Sequence, residues 1–128
     1  MANAETVRIT AVVPQLLVAD LQRSIACYRD ELGFHVGFIY EDFYAGVTRD
    51  GLGLHLKCAP SHGDRALRRE NEHLDVYFEV AGVDALYAEL ERRGARIAKP
   101  LGQRPWGCKD FYVEDVDEHI LCFSEPIS

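Results

Sequence analysis

The chain has 128 residues, 48% hydrophobic and 27% charged, which is enough to bury one core and form one domain. Its formal charge of -7 disfavours nucleic acid as a partner, because neutralising phosphates needs clustered Lys and Arg. No run of about 18 apolar residues is present to cross a bilayer, and "MANAETVRITAVV" lacks the basic and apolar regions of a secretory leader, so a cytoplasmic location is expected.

In chain order, residues 16–34, "LLVADLQRSIACYRDELGF", read as an apolar strand, a turn at Ala19 and Asp20, an amphipathic helix and a closing Gly33. Leu21, Ile25, Tyr28 and Leu32 share one helical face at spacings of three and four, and Asp20 can cap the N-terminus. Strand patterning follows at 33–42, 43–50 and 52–59, with "RDG" at 49–51 as a hairpin turn. Alternation places Leu52, Leu54, Leu56 and Cys58 beneath the helix and Gly53, His55 and Lys57 on the open face of the sheet. The basic run "DRALRRE" at 64–70 is interleaved with acids and reads as a solvated loop or short helix.

The second half repeats this plan. In "HLDVYFEV", 73–80, Leu74, Val76, Phe78 and Val80 point toward a helix, and His73, Asp75, Tyr77 and Glu79 point away from it. Val83, Leu86, Leu90 and the stem of Arg93 form the helical face, Asp84 favours the first turn, and Gly94 closes the helix as Gly33 does. Strands are predicted at 94–100, 109–115 and 119–125, with "DVDE" at 115–118 as the last turn. The final strand sends Leu121 and Phe123 to the core and Ile120, Cys122 and Ser124 to the open face, with His119 toward the helix side. The fold expected is α+β: two strand, helix, three-strand modules in tandem, about 8–60 and 73–126 with a linker at 61–72, whose curled mixed sheets enclose a pocket.

Several side chains stand out as pocket candidates. Cys27, Cys58, Cys108 and Cys122 form no CxxC pair and read as free thiols in a reducing compartment. Asp75, aimed at the concave side, needs a partner or a cationic ligand. Trp106 in "RPWGCKDF" offers a flat surface for stacking, or a lid or dimer contact. The ligand-binding set is therefore His55, Asp75, Tyr77, Trp106, Tyr112 and Cys122, with the face of Tyr112 open in the ambiguous alternation of "KDFYVED". Cys122 also fits as a small apolar filler and His55 as a hydrogen-bonded strand histidine. No catalytic residue is singled out.

The stretches "LLVADLQRSIACYRDELGF", "EVAGVDALYAELERRGARI" and "WGCKDFYVEDVDEHILCFSE" resemble the vicinal oxygen chelate superfamily, which includes glyoxalase I, extradiol dioxygenases and bleomycin-resistance proteins. The resemblance runs from about residue 12 to 126 and implies paired βαβββ modules in a homodimer. It also implies four metal-ligand positions, on the first and last strand of each module, which fall here on Val13, His55, Asp75 and Cys122. Valine cannot coordinate, and cysteine replaces the usual carboxylate. The function implied is that of a small-molecule-binding protein of the antibiotic-sequestration type, with a cationic or aromatic ligand, a metal-free pocket and no cofactor. The alternative is a metal-dependent lyase, isomerase or extradiol dioxygenase of the same superfamily with a set of His55, Asp75 and Cys122.

Overall fold

The computed structural model describes residues 10–59 and 74–127; His73, the basic run at 64–70 and the expected linker lie outside the described residues. Two four-stranded mixed sheets carry the fold. The first is built from β1 (Gln15–Val18), β2 (His35–Tyr40), β3 (Tyr44–Arg49) and β4 (Leu52–Cys58), in the order β1-β4-β3-β2. The second repeats it with β5 (Val76–Glu79), β6 (Arg96–Arg104), β7 (Cys108–Glu114) and β8 (Ile120–Pro126), in the order β5-β8-β7-β6. In each sheet the first strand lies parallel to the last, and the other pairings are antiparallel. This is the tandem βαβββ plan that the internal repeat predicts.

Local chemistry sets the two helices. Asp20 caps α1 (Leu21–Ala26) by accepting the Arg23 N–H at 3.0 Å, and the helix continues into a π-helical turn, Cys27–Glu31. α2 (Val83–Arg92) starts at Gly82, which has φ 87° and no side chain to act as a cap. Its first amides are met from a distance, because the Glu125 carboxylate on β8 accepts Val83 N–H at 3.0 Å and Gly82 N–H at 3.2 Å. Those bonds hold the Glu125 carboxyl below its ordinary value. Among the described residues no helix is long and apolar enough to cross a membrane.

One core runs through both modules, with Val18, Leu54 and Leu56 from the first sheet and Phe111, Val113 and Leu121 from the second. The modules meet through their helix-bearing faces: Phe34 lies edge-on to Phe78 at 6.3 Å, and the Tyr28 phenol reaches Asp115 at 2.8 Å. The open faces of the two sheets are left outside this join.

Two positions differ from the simple alternation. Leu52, expected beneath the helix, is 63% exposed; it directly follows the tight Asp50-Gly51 turn (φ 54° and 80°) at the end of the hairpin. β6 runs on to Arg104 through two irregularities in its pairing and carries Pro100, which an edge strand tolerates.

Candidate functional site

The open face of the first sheet gathers its polar and aromatic side chains around His55. In register with it stand Gln15 on β1 and Gly46 on β3, and Phe38 on β2 lies opposite Gly46. Gln15 Nε2 donates to the Tyr44 hydroxyl at 2.9 Å, and that hydroxyl is 2.9 Å from His55 Nδ1. With Nδ1 as the acceptor, every group in this chain is satisfied, and the His55 Nε2–H is left for a ligand. Phe38 meets His55 edge-on at 5.3 Å and lies parallel to Tyr44 at 6.1 Å, and Phe43 and Tyr40 extend the cluster. A Cβ on residue 46 would run into the Phe38 ring, so the glycine is what lets the phenylalanine lie across the sheet. Phe38, Tyr40 and Phe43 remain 43%, 56% and 43% exposed, a large area of ring face for one surface to leave in water.

The second open face is closed over at its centre. Cys122 on β8 stands in register between Tyr77 on β5 and Tyr112 on β7, with Lys99 of β6 next along. This settles Tyr112 on the open face, where the Lys99 ammonium sits 4.9 Å from its ring centroid. In the neighbouring row, Arg104 folds back from β6 and donates from Nε to Asp110 Oδ1 at 2.7 Å, and from Nη2 to the Asp110 and Pro100 carbonyls at 3.2 and 2.9 Å. Cys122 is only 1% exposed, and Ser124 is equally buried. Burial first, and then the charge of Asp110, push the Cys122 thiol up to about 12, so it is a neutral filler between two tyrosines. Tyr77 is 57% exposed, and Trp106, in the β6–β7 turn, is 69% exposed.

The six sequence candidates therefore separate. His55 lies on the first sheet; Tyr77, Tyr112 and Cys122 form one row on the second, and Trp106 lies in the turn beyond its edge pair β6 and β7. Asp75 immediately precedes β5, and its Oδ2 accepts the Ile120 N–H at 2.8 Å, so backbone supplies a partner for a carboxylate expected to seek a ligand. Val13 and Asp75 each lie two residues before Gln15 and Tyr77, the residues in register with His55 and Cys122. Among the described residues no group of three or more His, Cys, Asp or Glu side chains gathers as a metal-ligand set, and His55 lies on the other sheet from Cys122. Sequence reasoning missed Gln15, Phe38, Tyr44 and Arg104; the aromatic density of "GFIYEDFYAG" was the available signal for two of them.

A buried polar network closes one end of the seam between the modules. Asp115 accepts from the Tyr28 hydroxyl and from His119 Nδ1, both at 2.8 Å, and from the backbone N–H groups of Asp117 and His119 at 2.9 Å. Burial alone would raise the Asp115 carboxyl, but the His119 hydrogen bond and charge outweigh it and hold it below its ordinary value. For His119, burial would lower the imidazole, yet its bond to Asp115 raises it. Asp117 Oδ1 accepts the Ala19 N–H at 2.9 Å. His119 thus lies inside on the helix side, as the alternation predicts.

The family model of the Glyoxalase/Bleomycin resistance protein/Dioxygenase superfamily matches residues 8–123. The bleomycin resistance protein of Geobacillus stearothermophilus is 30% identical over 131 residues, covering 90% of this chain and 96% of that protein. The bleomycin-binding protein from Streptomyces verticillus, solved in complex with copper(II)-bleomycin, has a TM-score of 0.69 at 23% identity, covering 96% of this chain and 99% of that one. A glyoxalase-related enzyme from Clostridium phytofermentans has a TM-score of 0.76 at 18% identity, covering 97% and 100%. At such identities the structural likeness speaks for the fold, and the two mixed sheets in tandem agree with it. With its model spanning nearly the whole chain and a curated relative matched over nine-tenths of it, the protein belongs to the Glyoxalase/Bleomycin resistance protein/Dioxygenase superfamily.

Proposed function

We propose that the protein binds a small aromatic or cationic molecule on its open sheet faces and sequesters it, as the names of its bleomycin-resistance and bleomycin-binding relatives suggest. The observation that carries this reading is the first-sheet platform: Phe38 lying over Gly46, flanked by Tyr44 and the Gln15-Tyr44-His55 hydrogen-bond chain. Half-exposed rings attract a planar group by stacking and a cation through their faces, and the His55 Nε2–H adds one directional contact. Asp110 contributes little to cation binding, because Arg104 already neutralises it.

The same geometry supports a homodimer. The modules of one chain join through their helix-bearing faces, which leaves the aromatic face of the first sheet for a second copy to cover. Laying the first-sheet platform of one copy against Tyr77, Tyr112 and Trp106 of another would enclose a ligand between two aromatic surfaces. A reducing, cytoplasmic setting is supported by four free cysteines.

Calorimetry and Trp106 fluorescence against bleomycin and against planar organic cations test the proposal. Saturable binding is expected, weakened about tenfold by Phe38→Ala. Absence of both heat and fluorescence change with every ligand would overturn it. One stoichiometric metal in the purified protein, lost on His55→Ala, would instead establish the metal-dependent alternative.

A further inference from the structure

The seam between the modules is plugged at one end and hollow at the other, and the two ends differ in turn length. The β7–β8 turn spans residues 115–119, and it carries Asp115 and His119 inward against Tyr28. Its counterpart in the first module, the β3–β4 turn, is only Asp50 and Gly51, and a cavity of about 430 Å³ remains beside it. Phe34, Phe78 and Phe123 line this cavity together with Leu52 from the hairpin and Leu86 from α2, so both modules contribute. Phe78 stacks on Phe123 at 4.8 Å and meets Phe34 edge-on at 6.3 Å, which makes one wall a packed set of rings. The open-face residues Phe38, Tyr44 and His55 do not line it.

The charges beside this cavity cancel. Arg49 donates from both terminal nitrogens to Glu89 at 2.9 and 2.8 Å, and its Nη1 also donates to the Leu32 carbonyl at 3.0 Å. Arg93 Nε donates to Glu89 at 2.8 Å, and Asp50 stands 3.8 Å from Arg49 Nε. Two guanidiniums thus meet two carboxylates. Glu79 follows Phe78 on β5, so its side chain alternates to the other face of the sheet, in register with Ser124. A charged ligand entering between the modules would give up water without gaining a counterion, whereas an apolar one covers ring and leucine surface at no such cost. A volume of this size suits a small organic ligand, since such pockets run from roughly 300 to 1,000 Å³.

We propose that this inter-module cavity is a second small-molecule site, separate from the open sheet faces, for an uncharged, hydrocarbon-rich molecule. The ligand lies against Phe34, Phe78 and Phe123, between Leu52 of one module and Leu86 of the other. Its selection is against charge of either sign, which sets it apart from the first-sheet platform with its preference for planar and cationic groups.

Three probes sharing one saturated cage test the site: 1-adamantanemethanol, 1-adamantanamine and adamantane-1-carboxylic acid, the last two charged at neutral pH. A saturated cage has no planar face to stack on the first-sheet platform. Each is titrated into the intact protein by calorimetry and protein-observed NMR. The alcohol is expected to bind about tenfold more tightly than either ion, and to shift the methyl signals of Leu52, Val80 and Leu86. Ala85→Phe, at an exposed position lining the cavity, should abolish that binding by filling the space. Leu52→Asp, on the exposed hairpin, should weaken it about tenfold by setting an unpaired charge against the ligand. The proposal falls if the alcohol does not bind, if either ion binds as tightly, or if both variants retain the alcohol affinity of the parent protein. It falls equally if Leu52→Asp converts a dimer to a monomer without altering alcohol binding, which would make the cavity an interface between copies.

Discussion

Arg49 at the end of β3 and Glu89 on α2, 40 residues apart, meet through two parallel hydrogen bonds and clasp the two modules together. The Arg49 bonds draw the Glu89 carboxyl down to about 2 from its usual 4.5, with burial opposing and Arg93 assisting. A carboxyl whose folded value is depressed contributes stability above its unfolded value and loses it as pH falls through the folded one. Glu89→Gln should therefore cost about 1 kcal/mol near neutral pH and flatten the loss of stability between about pH 4.5 and 2. Urea unfolding of both proteins at several acidic pH values measures this; parallel curves would mean the clasp contributes nothing.

At the other end of the seam, Tyr28→Phe leaves Asp115 one donor short in a buried setting and should cost about 1 to 3 kcal/mol. His119, raised above 6.5 by Asp115 with Asp75 and Asp117 adding to it, behaves oppositely to Glu89. Its contribution is complete below pH 6.5 and disappears as pH rises through the elevated folded value. The melting temperature should thus decline on the alkaline side of pH 6.5, and His119→Gln should remove that slope while lowering the melting temperature at pH 6.

Gly46→Ala should push the Phe38 ring off the first sheet, since the added methyl occupies the space of the ring. Affinity for a planar ligand should drop about tenfold, with far-UV circular dichroism unchanged. Unaltered affinity in this variant would show that the platform does not contact the ligand.

The thiols should react in a fixed order. Cys58 is half-buried, whereas burial pushes Cys27 and Cys122 up to about 12. At pH 8 in native buffer, Ellman's reagent should modify Cys58 and leave Cys27 and Cys122 untouched until urea is added. Rapid native labelling of Cys122, located by mass spectrometry, would contradict its burial.

The parts of this architecture that follow from periodicity were legible in the sequence. Leu21, Ile25 and Leu32 announce one helix and Val83 and Leu90 the other, and all five are buried as their spacing demands. Alternation assigns a side chain to one face of a sheet, but it carries no information on what crosses that face. Cys122 is on the predicted face and is nevertheless only 1% exposed, standing between Tyr77 and Tyr112 of the neighbouring strands. Register was equally hidden: the irregularity between Val36 and Phe38 shifts the phase of β2, so the partnership of Phe38 with Gly46 and His55 appears only once the strands are paired. The Glu125 cap of α2, more than 40 residues from its amides, leaves no local trace either.

The parallel pairing of β1 with β4 and of β5 with β8 has a consequence for synthesis on the ribosome. Each module opens with a strand whose partner is the last to be translated, so β2 to β4 and β6 to β8 can pair in order as the chain emerges, while β1 and β5 must wait for the final strand of their module. Module one can close on its own once Cys58 has been extruded. Module two must wait for β8, which supplies the neighbour of β5 and the carboxylate that starts α2, so the nascent second half emerges with Phe78, Phe111 and Val113 unprotected until its final strand arrives.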